Sequence, residues 1–201
     1  MPHAVLLETD WDAAGGVAAY AGELPGCAVF AGTADEAVGA IPGRVAEFIA
    51  WLNQHGESLP SFAGGNWYEV ERVAAERQEA GVRRARFSLD DLPPSEDEFT
   101  RYLRWLELAR EELAEALDRA DSGAGGAALT AIAEQDRQFV TELGGDPAGQ
   151  AADDPVDRLF AARDALAERL ETAGAGADGV RRVLRLAIAD DLRVADWLGP
   201  D

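Results

Sequence analysis

The segment VAAYAGELPGCAVFAGTADEA, from Val17 to Ala37, contains the signals for two strands, a tight turn and the start of a helix. Strand-like runs lie on either side of Glu23–Gly26, where Pro25 presets φ near about −65° for a turn. Thr33 and Glu36 then have the spacing of a capping box, in which the Thr hydroxyl accepts from a backbone N–H at the helix start. The segment therefore predicts strand, turn, strand and helix in that order.

Further strands are predicted before and after this segment. His3 to Glu8 predicts a first strand, and Asn66 to Arg72 predicts a fourth strand after the helix. Pro42 lies inside the helical pattern, where a proline costs about 3 kcal/mol or produces a kink, and we expect a kink. Residues 1–72 are thus expected to form a small α+β domain of order βββαβ. Its helix carries apolar residues at helical spacing: Ala37, Ile41, Val45, Phe48 and Leu52.

The order of motifs in this domain resembles the HicB-type antitoxin domain, which has a shortened ribonuclease-H-like fold. The resemblance is carried by Tyr20, Glu23–Cys27, Gly32-Thr33, Glu36-Ala37 and the run from Gly56 to Pro60. Better-known members bind a small basic toxin, so the resemblance implies a non-enzymatic protein with a basic protein partner. The candidate binding residues that it implies are Tyr20, Glu23, Leu24, Pro25 and Gly26.

The same residues also have structural interpretations. Gly26 suits a turn that needs a permissive backbone, and Tyr20 is expected to be half-buried. Cys27 is expected to be a small buried apolar residue rather than a nucleophile. Asp10 and Asp12 are interpreted as turn residues, so no catalytic residues are assigned here despite the ribonuclease-H-like fold.

Residues 73–94 are predicted to be a connector that includes a short helix over Ala74–Gly81. The connector also carries Arg83, Arg84 and Arg86, which make a local basic spot. A nucleic-acid role is one interpretation of these arginines. Pairing with acidic neighbours is the interpretation that the acidic composition favours.

Residues 95–201 predict four amphipathic helices, enough for a four-helix bundle. The first begins at a capping box from Ser95 to Glu98, and the third begins at Asp154-Pro155, with proline in the first helical position. We expect Phe160 on the inward face of the third helix and Asp178 as the N-cap of the fourth.

The bundle segments LTAIAEQD, at 129–136, and VLRLAIADD, at 183–191, resemble the DinB-like superfamily, which includes metal-dependent thiol transferases. Members that bind a divalent metal use three histidines, and the positions that match them here are Ala131, Asp190 and Val194. Alanine and valine cannot ligate a metal, and zinc or nickel requires three or four ligands. The sequence therefore predicts neither a metal site nor a cofactor.

Three aspartates, together with Asp196, are candidates for a polar cluster between the helices of the bundle: Asp136, Asp190 and Asp191. The alternative, which we favour from the sequence, is a solvated helix face or pairing with nearby arginines. Those arginines are Arg137, Arg185 and Arg193.

The formal net charge of −20 bears most directly on partners. A negative field repels nucleic-acid phosphates and anionic membrane surfaces, and it attracts basic proteins. Solubility alone is the alternative explanation of the charge. No apolar run approaches the length of a membrane span, and the N-terminus lacks a basic leader, so we expect a cytoplasmic protein.

Two functions remain open at this point. The first is a non-enzymatic binding protein of two modules, antitoxin-like or regulatory, which binds a basic protein. The alternative is a diverged, metal-independent DinB-like transferase that acts on a small thiol or another small molecule. A pocket with convergent polar groups inside the bundle would favour the enzyme.

Overall fold

The structure, a computed structural model, describes residues 2–12, 14–60, 65–78, 81–120, 126–147 and 153–199. The chain is α+β and divides into two compact units, residues 1–92 and 93–201. The first unit holds a four-stranded mixed sheet and one α-helix, and the second holds four α-helices.

The first unit has the element order that the sequence predicts. Its elements are β1 (Pro2–Thr9), β2 (Val17–Ala21), β3 (Ala28–Ala31), α1 (Ala34–Gln54) and β4 (Asn66–Ala74). In the sheet the strands lie in the order β3-β2-β1-β4. β2 is antiparallel to both β1 and β3, whereas β4 is parallel to β1. α1 lies in the long connection that a parallel pair requires.

The helix of the first unit begins where the capping box predicts. Thr33 is the N-cap, and its Oγ1 accepts a hydrogen bond from the backbone N–H of Glu36 at 3.4 Å. α1 continues through Pro42 to Gln54. The predicted apolar face is confirmed, because the residues that α1 buries are Ala37, Ile41, Val45, Phe48, Ile49 and Leu52.

Both faces of the sheet are covered. Consecutive residues of a strand point to opposite faces, and the four residues from Val5 to Glu8 are all buried. α1 packs against β1, β2 and β3. The segment from Arg84 to Asp91 covers the face that carries Glu8 and Tyr20, since the Phe87 ring lies edge-on to the Tyr20 ring with centroids 6.1 Å apart.

The predicted short helix over Ala74–Gly81 is wrong. In its place β5 (Glu76–Gln78) and β6 (Gly81–Arg83) form an antiparallel pair, and a 3₁₀ turn follows at Ser88–Asp91. The Ala75 N–H donates to the Thr9 carbonyl at 2.7 Å, which keeps the backbone extended up to β5. The residues predicted as a connector, 73–94, cluster with the first unit as far as residue 92.

The second unit consists of α2 (Glu96–Arg119), α3 (Gly126–Glu142), α4 (Pro155–Ala173) and α5 (Val180–Leu198). α2 packs against α5, and α3 packs against α4 and α5. Buried apolar residues from all four helices form one cluster, which includes Leu113, Ala133, Leu159 and Val194. None of the helices in the described residues combines the length and the apolar character that a membrane span requires.

Two of the predicted helix starts in this unit are confirmed and one is wrong. Ser95 and Glu98 form the reciprocal capping box, and the Asp154 side chain caps α4. The N-cap of α5 is Gly179 rather than Asp178. Gly179 adopts a left-handed φ of +76°, which a glycine tolerates, so the helix begins one residue later than expected.

The prediction that Phe160 faces inward is also wrong, because Phe160 is 39% exposed. α4 buries Leu159, Ala162, Arg163 and Leu166 instead. Phe160 directly follows Leu159, and consecutive residues of an α-helix are about 100° apart around the axis, so Phe160 points away from this stripe.

Candidate functional site

Charged side chains from all four helices meet inside the second unit. They are Arg110 of α2, Asp136 of α3, Arg163 of α4 and Asp191 of α5, and we call these four residues the charge layer. Asp136, Arg163 and Asp191 are each at most 1% exposed, and Arg110 is half-buried. A charge buried this deeply is costly to desolvate, so its partners decide whether the bundle tolerates it.

Arg163 lies between the two carboxylates of the charge layer. Its Nη1 donates to Asp136 Oδ1 at 2.9 Å, and its Nη2 donates to Asp191 Oδ1. One guanidinium thus joins α3, α4 and α5, because its two amino groups form a fork that can bind two carboxylates at once.

Arg110 completes the charge layer from α2. Its Nη2 donates to the backbone carbonyl of Arg163 at 3.0 Å, and its charge is close enough to favour the ionised form of Asp136. With Arg110 included, two guanidinium groups balance two carboxylates. In the part of the chain that the structure describes, Asp191 Oδ2 and the Nε atoms of Arg110 and Arg163 are buried without a hydrogen-bond partner.

Burial dominates the titration of the charge layer. Desolvation raises the pKa of Asp136 from 3.8 to about 6, against the opposing effect of the Arg163 and Arg110 charges. The same desolvation lowers the pKa of Arg163 and of Arg110 from the usual arginine value. Asp136 therefore binds its proton more tightly than an ordinary aspartate does.

Asp190 belongs to a neighbouring set of contacts. It is buried like Asp191, but its Oδ2 accepts from Gln135 Nε2 at 2.9 Å, and its Oδ1 lies 3.5 Å from Arg193 Nε. The structure thus brings Asp136 and Asp191 together on Arg163 and gives Asp190 different partners. The solvated-face interpretation is wrong for all three aspartates, because all three are buried.

Arg163 is not among the residues predicted from the sequence, although the sequence contains a signal for it. Arg163 follows Leu159 by four residues and precedes Leu166 by three, so it occupies an apolar position of the α4 stripe. Asp136 has the same relation to Ile132 and Phe139. Arg110 and Asp191 are placed in the same way, and ionisable residues on apolar stripes in all four helices indicate a buried ionic layer.

The positions matched to the metal-binding histidines differ in burial. Ala131 is exposed, whereas Asp190 and Val194 are buried on α5. Within the described residues, no group of three or more His, Cys, Asp or Glu side chains is arranged to hold a metal ion. The cation between Asp136 and Asp191 is the guanidinium of Arg163.

A second buried ionic cluster lies in the first unit and centres on Glu8 of β1, which has no exposed surface. Its carboxylate accepts from the Tyr20 hydroxyl at 2.7 Å, from Arg84 Nε at 3.1 Å and from the Ala85 N–H at 2.6 Å. Arg84 also lies 5.3 Å from the centre of the Trp11 ring, a cation–π distance. The cluster joins the sheet to the segment that follows β6.

The predicted pairing of the connector arginines is confirmed for two of them. Arg84 pairs with Glu8, and Arg86 Nη2 lies 2.7 Å from Asp91 Oδ1. These pairs lie within the first unit, so the charges of both arginines are balanced locally.

The predicted binding residues of the first unit are mostly inaccessible. Tyr20 is fully buried because its hydroxyl binds Glu8, so the expectation of half-burial is wrong. Leu24, Pro25 and Gly26 are buried as well. Gly26 has a φ of +90°, which confirms its interpretation as a permissive turn residue.

Glu23 is the exposed member of that set. Its Oε1 accepts from the Ala4 N–H at 3.2 Å and lies 3.7 Å from His3 Nδ1. Cys27, at the end of the same turn, is buried, and burial raises the pKa of its thiol to about 12. The burial of Cys27 confirms the expectation of a small buried residue, and a raised pKa disfavours the reactive thiolate.

The surface of the described residues includes two clefts. The larger, of about 320 Å³, follows the outer side of α3 and ends at Asp146-Pro147. The smaller, of about 210 Å³, lies in the first unit between the end of β4 and Arg84–Arg86. Neither cleft is lined by Asp136, Asp190 or Asp191.

Comparison of the chain with protein-family models, with curated proteins and with solved structures gives no match in any of the three. The HicB-like and DinB-like resemblances therefore stay predictions.

Proposed function

We propose that the protein is a non-enzymatic binding protein of two modules, and that its N-terminal module binds a basic protein. The fold of the first unit supports the HicB-like resemblance on which this proposal rests. Three antiparallel strands are followed by a helix and by a fourth strand parallel to the first.

The observation that carries the proposal is the location of the acidic excess. Within the described residues, five carboxylates and four arginines are buried, so the buried charges almost cancel. Nearly all of the net charge of −20 is therefore carried by residues outside the described core. A surface of that sign steers a basic partner toward itself and raises the association rate.

The state of the buried carboxylates supports binding over catalysis. Glu8 is held by Arg84, and Asp136 and Asp191 are held by Arg163. Carboxylates neutralised in this way hold helices and strands together. In the proposed function the second unit is a DinB-like scaffold, and the charge layer fixes the packing of its four helices.

The acidic surface near the predicted recognition turn is the proposed contact region. Glu23 is exposed in that turn, and the exposed Glu47 of α1 lies close enough to influence Cys27 at the end of the same turn. Arg44 of α1, which lies 3.7 Å from the Glu47 carboxylate, also acts on Cys27 and has the larger effect. Leu24, Pro25 and Gly26 are buried and shape the turn, so Glu23 is the member of the predicted set that a partner can reach.

Affinity capture followed by a binary binding measurement tests the proposal. Full-length protein is immobilised and exposed to a lysate of its own organism at low salt, and each recovered protein is then purified. Calorimetry at about 50 and about 200 mM salt gives the affinity of each pair. We expect a small basic protein whose affinity falls as salt rises. A partner that is acidic, or whose affinity does not change with salt, would contradict the proposal.

A further inference from the structure

β4 is an edge strand with an unusual surface. Among the described strands its neighbour is β1, on one side. β4 is nine residues long, and its Tyr68 and Val70 side chains are 53% and 60% exposed. A long edge strand with exposed apolar side chains presents unpaired backbone groups to another strand. Proteins commonly protect such edges, so an edge that no described strand covers indicates an interaction surface.

A β-bulge gives this edge a property that a regular strand lacks. Val5 pairs with Glu69 and Leu6 pairs with Glu71, so Val70 is the extra residue of β4. In a regular strand, residues three apart point to opposite faces of the sheet. The bulge instead places Glu69 and Arg72 on one face, where Arg72 Nε donates to Glu69 Oε1 at 2.9 Å.

We propose that β4 is the interface between two copies of this chain, formed by antiparallel pairing of their β4 strands. The two-fold axis is perpendicular to the sheet and passes between Val70 and Glu71. In this register Glu69 lies opposite Arg72 of the partner subunit, and the symmetry repeats the pair. Tyr68 lies opposite Val73 of the partner subunit, which pairs an aromatic with a β-branched side chain.

The charges on β4 select this register and this partner. Centring the pairing on Val70 would place Glu69 opposite Glu71 of the partner subunit, whose side chain lies on the other face of the sheet, so Glu69 would have no oppositely charged cross-strand partner. The bulge permits the favourable register, because it keeps Glu69 and Arg72 on the same face. The charges of this pair balance locally, so the edge is complementary to itself rather than to a strongly basic strand.

Charge reversal in the full-length protein tests the proposal, with dimerisation measured by sedimentation equilibrium over a concentration series. We expect a dimer for the unaltered protein. We expect each single variant, Glu69→Arg or Arg72→Glu, to weaken dimerisation by about tenfold or more. Each variant places like charges opposite each other at both symmetry-related 69–72 pairs of the interface. The Glu69→Arg/Arg72→Glu double variant restores opposite charges and is expected to dimerise again.

Mixing the two single variants provides an internal control. Each single variant also loses the Glu69–Arg72 contact within its own chain, whereas an equimolar mixture places opposite charges together across the interface at both positions. We expect a heterodimer from two weakly associating proteins. Val70→Lys tests the edge without altering that ion pair, and Leu92→Lys, at a similarly exposed apolar residue of the first unit, is its matched control.

The dimerisation measurements can either support or overturn the β4 interface. Weak dimerisation of Val70→Lys with unaltered dimerisation of Leu92→Lys supports the β4 interface even if a single charge variant fails to fold. A monomer at all concentrations overturns the proposal, as does a dimer that tolerates both Val70→Lys and the charge reversals. Capture of a basic protein through β4 by a monomeric chain would also overturn it. The proposed recognition of a basic protein does not depend on dimerisation, so an experiment can disprove either proposal without affecting the other.

Discussion

At the scale of single residues, Arg163 determines how the second unit accommodates its buried charge. Its guanidinium binds the carboxylates of Asp136 and Asp191 while remaining 1% exposed. Buried ion pairs contribute little net stability, but removing one partner leaves an uncompensated charge in the core. The stability of an Arg163 variant therefore depends on whether Asp136 and Asp191 remain as carboxylates or are replaced as well.

We predict that Arg163→Met destabilises the protein by about 3–5 kcal/mol, because Asp136 and Asp191 lose the guanidinium that binds both of them and Arg110 remains as the other cation of the layer. The triple variant Arg163→Met/Asp136→Leu/Asp191→Leu is expected to recover most of that loss, since apolar side chains of similar volume need no partner. Urea unfolding of the three proteins measures the difference. A triple variant less stable than Arg163→Met would refute this description of the layer.

The raised pKa of Asp136 makes the stability of the protein decrease as the pH rises. Its pKa in the folded protein is raised from 3.8 to about 6, so the folded state binds this proton more tightly than the unfolded state. The stabilising contribution of the group is complete below about pH 4 and is lost as the pH rises through about 6. We predict that the unfolding free energy of the protein, relative to Asp136→Asn, falls across this window. A difference that stays constant or rises would show that the folded pKa is not raised.

At the scale of elements, periodicity and capping predicted most of the fold. The strands of the mixed sheet, α1 and the four bundle helices follow from apolar spacing, because burial on one side imposes that spacing. β5 and β6 were missed because each has three residues, too few to show a period. The start of α5 was misplaced by one residue, because the helix follows a left-handed Gly179 that provides no capping side chain for a sequence pattern to detect.

The candidate site was only partly predictable from the sequence. Asp136, Asp190 and Asp191 were identified as a possible cluster, but their burial and the role of Arg163 depend on how four helices face one another. A single charged residue on an apolar stripe is usually solvated. Burial of such residues is indicated only when several helices carry them at positions that can face one another. The burial of Tyr20 likewise depends on Glu8 and Arg84, which lie far from it in sequence.

We predict that Ser95→Ala lowers the unfolding free energy by about 1 kcal/mol. The substitution removes the hydroxyl that accepts from the Glu98 N–H at the start of α2. Ser58→Ala, in the exposed segment after α1, is the matched control and is expected to change stability by less than about 0.5 kcal/mol. Equal effects of the two substitutions, measured by urea unfolding, would mean that the capping box does not stabilise α2.

At the scale of the whole molecule, the surface charge governs which partners the protein can approach. The buried charges nearly balance, so nearly all of the net charge of −20 lies outside the described core. We predict no complex with duplex DNA in a gel-shift assay at about 50 mM salt and micromolar protein, because that field repels phosphates. A discrete shifted band with DNA from its own promoter would contradict this prediction.

The central claim is that acidic groups near the turn of the first unit recognise a basic partner. Its most direct test is the affinity of the captured partner for Glu23→Gln/Glu47→Gln, compared with Glu111→Gln/Glu115→Gln on α2. Each pair removes two exposed negative charges, and glutamine at position 23 keeps an acceptor for the Ala4 N–H. We predict an affinity loss of about tenfold for the first pair and less than about twofold for the second. Equal losses, or a larger loss for the α2 pair, would contradict the claim.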